Sequence, residues 1–287
     1  MNIFAYLDGE TTTIKRIPLT QNLQGELTAM FEELMESYIP ESNDLILDFK
    51  ENINYKPDDE VFVINNFEIP ESLLEYIRNP SVANVLSEND YERIKYLFLG
   101  KVQEENTKLA FIVFDKKKII RPDRGRFWIQ YRDNTFSKFD QKAIAIDRRI
   151  DALYKNGNLY FRSLYNIKRI FGELIEDYYR EATDDEVRNF ANNFFNEDLP
   201  EEYIDSRSRK LIFGIVKSGA SYNLSEIIEV GRSKFGLSIE LDEENGKLDV
   251  PPSKREFKKL LKLLNDDLLE SPLTQAKYET NSKRRIA

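Results

Sequence analysis

The segment from Leu109 to Ser163 constrains the fold most tightly, because short β-branched and aromatic runs in it are broken repeatedly by turn-forming pairs. Phe111, Val113, Ile119, Phe127, Ile129, Tyr131, Phe136, Phe139, Ile144, Ile146, Leu153 and Phe161 alternate with polar residues. A period of two sends successive side chains to opposite faces of a strand, so the pattern predicts an antiparallel meander with one face in a core and the other in water. Asp133-Asn134 and Asn156-Gly157 fall between such runs, and these residue types accept the positive φ angles of a two-residue hairpin turn. Two tight hairpins are expected.

Upstream, Ile3 to Leu7 and Thr12 to Ile17 read as a hairpin around Asp8-Gly9. Leu23, Leu27, Met30, Phe31, Leu34, Met35 and Tyr38 then recur at the three-and-four spacing of one apolar helix face. Val61 to Ile64 reads as a buried strand. Helices are expected near Glu71 to Arg78 and Glu88 to Leu99, stopped by Pro80 and Gly100. The polar link from Gln103 to Thr107 is the expected domain boundary. Downstream, Tyr165 to Tyr178 carries one apolar face, and Thr183-Asp184-Asp185-Glu186 is a capping box that opens the next helix. Helices over Arg207 to Val216 and Leu224 to Phe235 follow, then a hairpin around Asn245-Gly246 and a helix from Lys254 to Leu264. Together these elements define an α+β protein, a mostly antiparallel β-meander covered by helices, with a smaller acidic α+β domain at residues 1–103 and the meander domain at 104–287.

The chain has 287 residues and contains neither Cys nor His. That absence removes disulfides, thiolate nucleophiles, imidazole proton shuttles and Cys/His zinc sites, and leaves carboxylates, Lys, Tyr, Ser and Thr for any chemistry. No apolar run approaches the roughly 20 residues of a membrane-spanning helix, and the N-terminus lacks the layout of a secretory signal. A cytoplasmic protein without direct membrane insertion is expected.

Charge is distributed unevenly. The formal net charge is −9, and the acids from Glu26 to Glu60 exceed the cations there by that same number. Between Lys108 and Arg132, in contrast, Lys108, Lys116, Lys117, Lys118, Arg121, Arg124, Arg126 and Arg132 face only Asp115 and Asp123. With a Debye length of about 8 Å, such a patch is governed by its own neighbours more than by the total. Interleaved with Phe127, Trp128 and Tyr131, it suits nucleic acid: phosphates take the cations and bases stack on rings or guanidinium planes. The candidate binding residues are Lys116, Lys117, Lys118, Arg121, Arg124, Arg126 and Arg132, extended by Lys283, Arg284 and Arg285 at the tail.

Three other patterns compete with that reading. The order helix, turn, helix, hairpin over residues 207–250 is also that of a winged helix, yet its recognition segment pairs Glu226 and Glu229 with Arg232 and Lys234 and brings no net attraction to phosphate. Gly214 to Ser221 resembles a phosphate-binding loop, but Ala220 stands where its Lys belongs. Asp147 with Asp151, or Glu240 with Asp242, supply acids of the kind a metal-dependent nuclease uses, without the Lys that follows at nuclease spacing.

The run Ala145-Ile146-Asp147-Arg148-Arg149-Ile150-Asp151-Ala152, with Gly157 to Phe161, Ile167 to Phe171, and the tail Leu268-Leu269-Glu270-Ser271-Pro272-Leu273-Thr274, Tyr278-Glu279 and Asn281 to Arg285, resembles a bacterial domain family. That family contains the B component of the Kiwa antiphage defence system. The resemblance implies a cytoplasmic DNA-binding protein that works with a membrane-embedded A component, recruits to the inner face of the membrane through it, and self-associates as a homodimer or higher homo-oligomer. It supplies no catalytic residues and no cofactor. The expected function is therefore a non-enzymatic DNA-binding effector or sensor of antiphage defence. The alternatives are an interaction scaffold whose acidic segment docks a basic partner, and a metal-dependent nuclease.

Overall fold

The computed structural model of the chain describes residues 1–9, 13–49, 55–103, 106–122 and 128–280. Its packing divides into two units, Met1–Phe49 with Pro57–Leu174, and Ile175 onward together with the short segment before Pro57.

The first unit is built on a nine-stranded sheet. Its elements in chain order are β1 (Ile3–Leu7), β2 (Thr13–Arg16), α1 (Gln21–Ser37), β3 (Ile46–Asp48), β4 (Val61–Ile64), α2 (Glu71–Arg78), β5 (Asn84–Val85), β6 (Ile94–Lys101) and β7 (Lys108–Val113). Then come β8 (Ile119–Ile120), β9 (Ile129–Arg132), β10 (Thr135–Lys138), β11 (Ala143–Ile144), β12 (Ala152–Lys155), β13 (Asn158–Phe161) and α3 (Leu164–Phe171). The sheet order is β3-β4-β13-β12-β7-β6-β1-β2-β5. Only the flanking pairs β3–β4 and β2–β5 are parallel.

Both faces of this sheet are covered. On one, Ile3, Ala5, Leu97, Leu99, Ala110, Ile112 and Leu153 form a core with Phe31 and Met35 of α1. On the other, Phe4, Phe98 and Phe111 form an aromatic row, with ring centroids 5.2 Å and 6.4 Å apart. Tyr76 of α2 closes over Phe4, and Phe171 of α3 meets Phe111 edge-on at 4.9 Å. Each ring buried in this way contributes about 1.5–3 kcal/mol relative to exposure. The single wet face expected of the meander is thus absent from β7, where five consecutive residues are buried. Helices on both sides are the reason.

The turns fall where the sequence places them. Asn156 and Gly157, with φ of 48° and 83°, join β12 to β13, and Asp133 and Asn134, with φ of 51° and 59°, join β9 to β10. Two helix expectations need correction. Ser87 and Asp90 do form a capping box, but only a 3-10 turn over Glu88–Arg93 follows it. From Ile94 onward the residues are apolar or aromatic at nearly every position, a pattern that a central strand between two helical layers buries completely. Gly100, expected to stop a helix, instead lets β6 approach β7, since a Cβ there would lie 2.1 Å from the Lys108 carbonyl oxygen. The helix expected from Tyr165 to Tyr178 also breaks, at Gly172, whose φ is 44°, and a 3-10 segment continues it.

The second unit contains α4 (Asp184–Phe194), α5 (Ser206–Ser218), α6 (Leu224–Phe235), β14 (Leu241–Asp242), β15 (Lys247–Leu248), α7 (Lys254–Leu264), β16 (Leu268–Glu270) and β17 (Lys277–Glu279). Phe190, Phe195, Ile212, Phe213, Leu248, Phe257 and Leu260 make its core. The Thr183 capping box forms as the sequence predicts, and the Arg180 guanidinium, 2.7 Å from Glu186, holds that carboxyl down to about 2. Asn223 caps α6, and Gly236 ends it at a φ of 63°.

The division between units does not coincide with the boundary expected at residue 103. The link from Gln103 to Thr107 joins β6 to β7, which pair in register from Tyr96↔Val113 to Lys101↔Lys108. A composition change there marks the end of the acidic segment while hydrogen bonding continues across it.

Replacing Gly100 by Ala forces β6 and β7 apart, because the obstructing atom is backbone. The variant is expected to lose about 2–4 kcal/mol in urea unfolding followed by circular dichroism, whereas Gly25→Ala, in open space on α1, leaves stability within about 1 kcal/mol.

Candidate nucleic-acid interface

Between β7 and β12 the chain leaves the sheet as a long β-arm. β8 pairs with β11 at its base, through Ile120↔Ala143 and Ile119↔Ile144, and β9 pairs with β10 further out. Ala145 N–H donates to the Lys118 carbonyl at 2.9 Å, and Phe139 N–H donates to the Trp128 carbonyl at 2.7 Å. Ile119 is buried, with Ile144 and Ile146 packed on the same core, so the root is apolar and fixed. Beyond it, every residue of β9 and β10 is exposed.

The root is held by a polar network. Asp151 is almost fully buried: one carboxylate oxygen accepts the Val113 N–H at 2.7 Å, and the other accepts from Asn166 Nδ2 at 2.8 Å. Tyr38 Oη donates to the Asp151 carbonyl at 3.0 Å, and burial pushes the Tyr38 hydroxyl well above its ordinary range. Lys118 Nζ donates to the Val113 carbonyl at 2.9 Å and lies 2.9 Å from Asp147, which also meets Arg149 at 3.4 Å. Arg169 donates to the Phe114 carbonyl at 3.0 Å and pairs with Asp115 at 3.2 Å.

This placement sorts the cations that the sequence singles out. Lys116 and Lys117 lie on a 3-10 turn at the foot of the arm and are exposed, and Arg132 is exposed on β9. Lys118 is committed to Val113 and Asp147, and Arg121 pairs with Glu92. Arg124, Arg126, Lys283, Arg284 and Arg285 lie outside the described residues. Register adds one cation beyond that set: Lys138 stands opposite Ile129, exposed on the same ribbon. Its signal in the sequence was the Asp133-Asn134 turn, which folds residues 135–138 back along 129–132.

Four of the basic residues of α7 are engaged within the second unit, and Arg255 is exposed. Lys254 and Lys258 pair with Asp205, Lys259 donates to the Phe235 carbonyl, and Lys262 pairs with Glu279. On α6, Arg232 bends back to the Ile239 carbonyl and Lys234 faces Glu270, leaving Glu226 and Glu229 exposed. Of the four acids weighed for metal chemistry, Asp147 and Asp151 both lie near Arg149, at 3.4 and 3.8 Å. Asp147 and Asp151 serve the arm root, while Asp242 accepts the N–H groups of Glu244 at 3.0 Å and Asn245 at 3.2 Å in the β14–β15 turn. Among the described residues, no group of three or more acids is placed to hold a metal ion.

The profile of the family described as Kiwa protein KwaB-like matches residues 94–274, from the start of β6 through the arm and most of the second unit. The chain belongs to that family, and is thereby a component of the Kiwa antiphage defence system. No curated protein and no solved structure matches the chain. Among the described residues, no helix is long and apolar enough to cross a membrane.

Asp151→Ala removes the acceptor for a buried strand N–H and for Asn166 at once. It is expected to cost about 2–3 kcal/mol in chemical denaturation. Amide exchange in that variant should accelerate first at Val113 and along the arm root; protection there equal to the parent's would show that the carboxylate is dispensable.

Proposed function

We propose that the protein is the DNA-binding effector or sensor of its defence system, acting by adhesion without turnover, alongside a membrane-embedded partner of the same system. The observation that carries this reading is the exposed cation set on the arm. Lys116, Lys117, Arg132 and Lys138 have no carboxylate partner among the described residues, whereas Lys254, Lys258 and Lys262 of α7 are each paired with a carboxylate. A protein of net charge −9 repels a polyanion at long range. Contact therefore has to run through a local surface that projects from the body, and the arm has that shape.

The reading is tested by salt dependence. For duplex DNA the logarithm of affinity falls with the logarithm of salt concentration, with a slope of about −0.9 per phosphate neutralised. Lys116→Glu, Lys117→Glu and Arg132→Glu together are expected to flatten that slope by roughly two to three, measured by fluorescence anisotropy, with the melting curve unchanged because all three side chains are exposed. An unaltered slope would move binding to another surface.

A further inference from the structure

The outer part of the arm has two unlike faces. Register places Ile129, Tyr131, Phe136 and Lys138 on one, and Gln130, Arg132, Thr135 and Ser137 on the other. The first is apolar yet uncovered: Ile129 is 64% exposed, Tyr131 63% and Phe136 67%. The two rings touch, with centroids 5.0 Å apart and planes tilted by 57°. An isolated two-stranded ribbon is marginal in water, and three large apolar side chains gain nothing from being displayed there unless a ligand covers them.

A ribbon entering the major groove of a duplex would read base edges with the Gln130 and Arg132 face and leave the rings in water. Unpaired bases use the rings directly, because each base offers a π face that stacks on Tyr or Phe whatever its sequence, while Lys138, on the same face, reaches the flanking phosphates. We propose that the arm binds single-stranded nucleic acid, with bases stacked on Tyr131 and Phe136. This rests on the reading of the arm as the nucleic-acid surface and specifies its ligand.

The chain carries a built-in reporter, since its one tryptophan, Trp128, immediately precedes β9. Titration of the full-length protein with a twelve-residue oligothymidylate is expected to quench Trp128 emission and to show tighter binding than a blunt duplex of equal phosphate count. The double variant Tyr131→Leu, Phe136→Leu keeps strand-compatible apolar side chains but removes stacking. It should weaken oligothymidylate binding at least tenfold and change duplex binding by less than about twofold. The ring-preserving pair Tyr131→Phe, Phe136→Tyr should bind as the parent does, which separates stacking from any general disturbance of the ribbon. Equal or tighter binding of duplex with no effect of the ring variant would overturn this inference and leave the charge-based reading standing. Absence of binding to either nucleic acid would overturn both. A blue shift of Trp128 on vesicles of anionic phospholipid, without oligothymidylate binding, would overturn it in favour of a lipid surface.

Discussion

Val113 and Asp151 are separated by 38 residues, yet a 2.7 Å hydrogen bond from the backbone of one to the carboxylate of the other closes the gap. On one side of it β7 and β12 run as neighbours in the central sheet, with Ala152 opposite Phe111. On the other side the intervening chain is free to leave the sheet as an arm. A buried carboxylate is costly unless every lone pair finds a donor, and here Val113, Asn166 and, more distantly, Arg149 supply them. The bond therefore settles two things at once: sheet order at its centre, and the fixed point from which the exposed ribbon projects.

Charge follows the same division of labour. Cations near the body are spent on local structure, Lys118 on a strand end, Arg169 on the Phe114 carbonyl, Lys254 and Lys258 on the cap of α5. At the foot and along the outer strands of the arm, Lys116, Lys117, Arg132 and Lys138 are exposed and have no carboxylate partner among the described residues. A positive run in sequence thus resolves into an inner set paired within the fold and an outer set exposed to solvent. Lys118 and Arg121 belong to the first set even though they stand next to, or within five residues of, Lys116 and Lys117.

Much of the local structure was legible in the sequence, since it depends on residues close together in the chain. The Asn-Gly and Asp-Asn turns, the Thr183 capping box, the Asn223 cap and the Gly236 stop are short-range devices, and each forms. The failures came where long-range packing decided. Ile94 to Leu99 follows a genuine cap, and its apolar run fits helix and buried strand equally; only the second layer of helices over the sheet selects the strand. The pairing of β6 with β7 across the polar link likewise depends on the whole sheet, which composition does not register. At the candidate site, residue types singled out the basic segment, but which of its cations are occupied depends on Asp147 and Glu92, partners brought in by the fold from 29 residues away in each direction of the chain for Lys118 and Arg121 respectively.

The central claim is that nucleic acid meets this protein on the arm. Photo-crosslinking to an oligonucleotide carrying 5-bromouracil, followed by digestion and mass spectrometry, locates the contact without any mutation. The account predicts crosslinked peptides from residues 116–138, with Trp128, Tyr131 or Phe136 as the attachment point. Crosslinks confined to α6 and the β14–β15 turn, with the arm unmodified, would contradict it.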